Sequence, residues 1–187
     1  MGSILKPIFR DLAAQSRADP TKAVAEMRAV CDSAMGDPLM WSVTGSPGSQ
    51  HEMKVGQHPV LGGNRSVPCP GELVTMAIAA CMDGAIRLFA DLMQVRLERI
   101  RVEVVNRGDL RWLLGIPAVA EVIASSEPPE RQVESDMPAH LGITMTVLIE
   151  APGETAERLA ELRALAEANS GVLNMMKHRI GVAVEWA

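Results

Sequence analysis

Residues 67–91 read VPCPGELVTMAIAACMDGAIRLFAD, and the rest of the chain is organised around this stretch. Two prolines bracket Cys69, and a long apolar run begins at Leu73. Pro70 suits the first turn of a helix, where its missing N–H leaves no bond unmade. Leu73, Met76, Ala77, Ala80, Cys81, Gly84, Leu88 and Leu92 recur at spacings of three and four, the period of a helix. Ile78, Ala79 and Ile86 carry apolar surface onto its remaining faces. A helix of this kind is expected to be buried, with other elements or another chain packed on both sides. It is read as too short, and too soon interrupted by Asp83, Arg87 and Asp91, to cross a membrane. Cys81 stands at its middle.

The chain has 187 residues, enough for one domain with an appendage. Residues 1–36 are read as an N-terminal helical arm and residues 37–187 as the main domain. With no Tyr, two Phe and three Trp, the core must be filled by aliphatic side chains and by twelve Met, an adaptable filler. The net charge is −5 and no basic run occurs, which argues against nucleic acid as a partner. The N-terminus lacks a basic region followed by an apolar one, so the expected location is cytoplasmic.

Cys31, Cys69 and Cys81 fit no zinc spacing, and as free thiols each could be a small buried hydrophobe. His51, His58, His140 and His178 are scattered without a metal-binding repeat. Neither a metal nor another cofactor is expected.

In chain order, Ile4–Ser16 reads as a short helix. Asp19-Pro20 looks like an N-cap and first helical residue. That start predicts a second helix to about Ser33, with Val24, Met27 and Cys31 on one stripe. Leu39–Gly45 and His51–Gln57 are strand-like, and the turn-rich residues between them predict a hairpin. After the central helix, placed at 71–92, Val95–Val105 alternates as a strand with a slip at Arg99. Trp112–Ala124 reads as short helix or irregular structure, and Glu127–Pro138 as loop. Leu141–Ile149 is strand-like, and Thr155 caps a helix over Ala156–Asn169. Asn174–Lys177 forms one more turn, and Ile180–Trp186 is a closing strand. The order β-β-α-β-β-α-β gives an α+β fold, mixed sheet against two main helices.

Pro-Cys-Pro-Gly-Glu-Leu leading into Ala77-Ile78-Ala79-Ala80-Cys81 resembles the OsmC/Ohr family of osmotically induced and organic-hydroperoxide-resistance proteins. The Gly62-Gly63 loop, the alternating strand and Ser170-Gly171-Val172 match that family too, over about residues 39–186. The resemblance implies an intertwined homodimer with its two central helices at the core and active sites at the subunit interface. It also implies a cysteine that attacks peroxide oxygen, a second cysteine that resolves it, and a Glu–Arg pair that holds the thiolate. Cys81 stands at the attacking position. Ser170 stands where the resolving cysteine belongs, and Gly71 stands at the glutamate register, with Glu72 one step along. Arg65 is the nearest candidate for the arginine. Resolution then falls to Cys69, Cys31 or an external small thiol or lipoyl-type reductant.

Two functions stay open. One is a thiol-dependent reductase of apolar organic hydroperoxides that works through Cys81. The other is a family member without that chemistry, binding an apolar or acyl ligand at the dimer interface. A third reading gives Cys69 the working thiol, in an exposed-looking loop at a helix start. An ordinary thiol, with a pKa of about 8.5, is only slightly ionised at neutral pH, so a reactive cysteine needs a helix N-terminus, a cation or a donor beside it. Cys81 lies some three turns into its own helix, where the end effect has faded. The expected aid is therefore a cation from elsewhere: Arg65, His58 or Lys177.

Overall fold

The computed structural model describes residues 2–31, 37–45, 51–108, 140–178 and 184. The chain divides into two units, residues 1–102 with 147–187, and residues 103–146. The described elements are helices α1 (Leu5–Ala18), α2 (Pro70–Met93), α3 (Ala156–Asn169) and α4 (Gly171–Lys177), with strands β1 (Met40–Thr44), β2 (Glu52–Gly56), β3 (Arg99–Gly108) and β4 (His140–Glu150). β1 pairs antiparallel with β2, Met40 opposite Gly56 and Thr44 opposite Glu52, and β3 pairs with β4. This is an α+β chain.

The first unit is built on α2. Its start is fixed by a capping box: Cys69 is the N-cap, Pro70 follows, and the Glu72 side chain reaches back to the N–H of Cys69. Its end is fixed by Gln94 in the left-handed conformation, φ 59°. Ile78, Met82, Ala85, Ile86 and Ala90 form one buried stripe, and α3 packs against this helix through Leu162 and Ala166. Ile78, Ile86 and Leu162 are almost fully buried, each worth about 1.5–3 kcal/mol as side-chain transfer from water. Thr155 caps α3 by accepting the N–H of Arg158 at 3.3 Å. The hairpin lies beside the approach to α2, because Gly56 donates its N–H to the Pro68 carbonyl. Gly56 must be glycine for this approach: a Cβ there would stand 2.9 Å from Val67 Cγ2.

The start of the arm is pinned by a carboxylate. Asp91, near the end of α2, accepts the Ser3 hydroxyl at 2.5 Å and the N–H groups of Ile4 and Leu5 at 3.1 and 2.9 Å. Ile4, the N-cap of α1, offers no side-chain cap of its own, so Asp91 satisfies donors that a helix start otherwise leaves open. These bonds, the Ser3 hydroxyl foremost and the Leu5 and Ile4 N–H groups after it, hold the Asp91 carboxyl below its usual range.

Several expectations are corrected. Asp19 and Pro20 do start a helical turn, but it is 3₁₀ and stops at Ala23. Val30 instead makes an antiparallel bridge with Thr44. Val24 and Met27 are exposed, and a helix without a packed stripe is marginal at this length. Cys31 is exposed rather than buried. β3 begins at Arg99, past the slip, and not at Val95. Among the described residues helix α2 is covered on one side, and Val74, Met76, Ala77 and Ala80 are exposed. At 24 residues it is also long and apolar enough, by length and composition only, to span a bilayer. The expectations for Trp112–Ala124 and Glu127–Pro138 lie outside the described residues, as does the closing strand apart from Val184.

Candidate active site

Cys81 is half-buried on α2, and its sulfur accepts the backbone N–H of Val172 at 3.4 Å. Val172 is the second residue of α4, whose N-cap is Ser170. A serine N-cap ordinarily turns its own oxygen onto an N–H of the first turn. Here Ser170 makes no such bond, and the Cys81 sulfur takes that place. Ser170 is 1% exposed, and its hydroxyl has no partner in regular hydrogen-bond geometry. It faces the Cys81 thiol closely enough to affect its ionisation.

Burial pushes the thiol up. The Val172 N–H, the Ser170 hydroxyl and the Gly171 N–H pull it down and outweigh burial, so Cys81 sits below the ordinary cysteine value. Donors from a neighbouring helix therefore do what was expected of a cation. The expected cations are engaged elsewhere. Lys177 pairs with Glu167 at 2.8 Å, and His58 and Arg65 act on Glu72. Arg87 pairs with Asp83 along α2.

Glu72 accepts the Cys69 N–H at 2.8 Å. That bond chiefly holds its carboxyl below the usual range, against burial and with smaller help from the Cys69 side chain and the charges of His58 and Arg65. Glu72 and Cys81 stand nine positions apart on the helix, about 14 Å along the axis, so the two do not meet within one chain. Arg65 is exposed, takes φ 61°, and lines a small cleft with Asp37, Gln57 and Val67. Gly63 in the same loop packs so closely on the Gln57 carbonyl that a Cβ would overlap it.

Cys69 is 6% exposed, not in an open loop, because it is drawn in as the N-cap of α2. It precedes Cys81 by twelve residues, about 18 Å along a helix, whereas a disulfide needs Cα atoms within about 7 Å. All three cysteines are free thiols. Among the described residues no three His, Cys, Asp or Glu side chains gather as a metal site. A larger hollow, bounded by Gly2, Ser3, Asp91 and Arg96, lies at the arm and contains none of these candidate residues. The residues of this candidate site that sequence reasoning missed are Gly171 and Val172, whose backbone N–H groups face the Cys81 sulfur. Ser170-Gly171 signalled a helix end, but the same pair also begins a new helix, and that second meaning was the available clue.

The profile of the family described as OsmC-like protein matches residues 62–185. No curated protein matches the chain. Among solved structures, an organic hydroperoxide resistance protein from Elizabethkingia anophelis aligns at TM-score 0.55 and 17% identity, over 84% of this chain and 92% of that one. An organic hydroperoxide resistance protein OsmC from Legionella pneumophila aligns at TM-score 0.52 and 19% identity, over 83% and 91%. An OsmC-like protein from Mycoplasma pneumoniae aligns at TM-score 0.53 and 12% identity, over 83% and 89%. At these identities the structures speak for the fold, and the profile speaks for the family. The chain belongs to the OsmC-like protein family.

Proposed function

We propose that the protein reduces organic hydroperoxides through Cys81, with an external thiol completing the cycle. The observation that carries this reading is the Val172 N–H directed at a half-buried sulfur, with the resulting downward shift of the thiol. The Cys81 thiolate attacks the terminal oxygen of ROOH. The S–O bond forms as the O–O bond breaks, the alkoxide leaves and takes a proton to become ROH, and Cys81 becomes a sulfenic acid. One external thiol condenses with it, releasing water and leaving a mixed disulfide. A second thiol, or the other sulfur of a lipoyl-type dithiol, attacks that disulfide and returns Cys81 to the thiol. Within the chain Cys69 is too far along the helix to take this role. Met76 on α2 and Met175 and Met176 on α4 are exposed on the two helices that hold Cys81, which favours a substrate with an apolar tail. Pairing of two copies across the exposed side of α2 belongs to the same proposal.

The exposed Val74, Met76, Ala77 and Ala80 also support the second reading, an apolar or acyl ligand held without turnover. Dithiothreitol-dependent consumption of cumene hydroperoxide separates the two. Turnover with Cys81 found as sulfenic adduct or mixed disulfide is expected. No turnover, with Cys81 still a thiol after stoichiometric peroxide, would overturn the reductase and leave the binder.

A further inference from the structure

Ser170 is the buried polar side chain left unpartnered among the described residues, and it stands at the working sulfur. Burying a hydroxyl without a regular partner is unfavourable, and its approach to the Cys81 thiol leaves a donor there that no regular hydrogen bond uses. Its position would normally supply one, as N-cap of α4. That role is taken by Cys81, which receives the Val172 N–H at 3.4 Å. The hydroxyl therefore remains available on the side of the thiol. A thiolate is a diffuse acceptor, but oxidation adds an oxygen that projects beyond the sulfur and accepts more strongly.

We propose that Ser170 is a positioning residue for the oxidised state of Cys81: its hydroxyl donates to the oxygen of the sulfenic acid and keeps Cys81 at that level until an external thiol arrives. This rests on the reading of Cys81 as the thiol that reacts with peroxide. Ser170 cannot form a disulfide, and Cys69 is about 18 Å away along the helix, so the sulfenic acid has no partner thiol on α2. Its remaining hazard is a second peroxide, which would transfer another oxygen, release another ROH and give sulfinic acid. A donor on the first oxygen draws electron density from the sulfur, whose lone pair makes this second attack, and fixes the orientation of the group.

The test compares wild type, S170A, S170T and S170C in two measurements. Iodoacetamide alkylation of Cys81 against pH reads the hydroxyl on the thiolate. Dimedone trapping and intact mass over time after one equivalent of cumene hydroperoxide read it on the sulfenic acid. S170A should raise the alkylation midpoint by about one pH unit, or about tenfold less thiolate at neutral pH. It should also pass faster from one added oxygen to two or three. S170T, which keeps the hydroxyl, should restore both. S170C should close an intramolecular disulfide with Cys81 and lose the dimedone adduct. A folded S170A whose alkylation profile and one-oxygen lifetime equal those of wild type would overturn the role of Ser170 alone. A wild type that gains no oxygen would overturn the reductase reading as well.

Discussion

Cys69 and Cys81 lie on one helix and both serve as helix caps, but for different helices. Cys69 caps its own: it is the N-cap of α2, buried, with its N–H held by Glu72. Cys81 caps another: its sulfur takes the N–H of Val172 at the start of α4. The first arrangement fixes where a helix begins. The second places backbone donors on a sulfur in mid-helix, where its own helix can give it none, since each N–H there is already bonded one turn back. The ionisation of Cys81 is thus shifted by the helix start it meets, not by its place in its own helix.

The comparison breaks most sharply at the sulfurs themselves. Cys81→Ser should bring cumene hydroperoxide consumption down to the uncatalysed rate with the fold retained. Cys69→Ser should leave it unchanged and slightly strengthen the cap, serine being the better N-cap residue. A loss of turnover in Cys69→Ser with Cys81→Ser still active would reverse the assignment. Next in size, Leu162→Ala should cost about 2–5 kcal/mol in urea unfolding, because it empties the seat of α3 on α2. It should also slow Cys81 alkylation at neutral pH, since α3 leads directly into the residues that hold the thiol.

Glu72→Ala tests the other end. Loss of the capping box should cost about 0.3–1.5 kcal/mol and leave the Cys81 alkylation profile alone. The carboxyl of Glu72 is lowered in the fold, so its contribution is fully present above the ordinary carboxylate pKa and is lost as pH falls through the depressed folded value. Urea midpoints of wild type and variant should therefore converge in acid. Smallest for the core is Asp91→Asn, which should free the arm to proteolysis and leave hydroperoxide turnover intact. Asp91 is lowered in the same sense, so wild type should release its arm only as pH drops below the usual aspartate range.

What was legible in the sequence was local. The period of Leu73–Leu92 gave α2, Pro70 marked its first turn, the turn between two strand-like runs gave β1 and β2, and Thr155 announced α3. Each of these signals is complete within a few residues. The arm past Asp19 misled, because the cap was real but the segment's partner, Thr44, lies in another element. The candidate site was legible as a residue and not as an environment. Cys81 could be singled out, but its donor comes from a residue 91 positions away, and through a backbone group that no side-chain pattern advertises. Looking for cations was the natural error. A cation is visible in sequence, whereas a backbone N–H becomes special only when a helix starts beside the sulfur.

The Asp91 clamp has a consequence for the order of folding. Its bonds to Ser3, Ile4 and Leu5 join groups 86 to 88 residues apart in sequence, and closing so long a loop yields nothing until α2 has formed to its last turn. The first turn of α1 is therefore stabilised by an acceptor that exists only after the core is assembled. The arm should dock after the rate-limiting step and leave before it on the way out. Removing the clamp should then speed the unfolding arm of a chevron and leave the refolding arm in place.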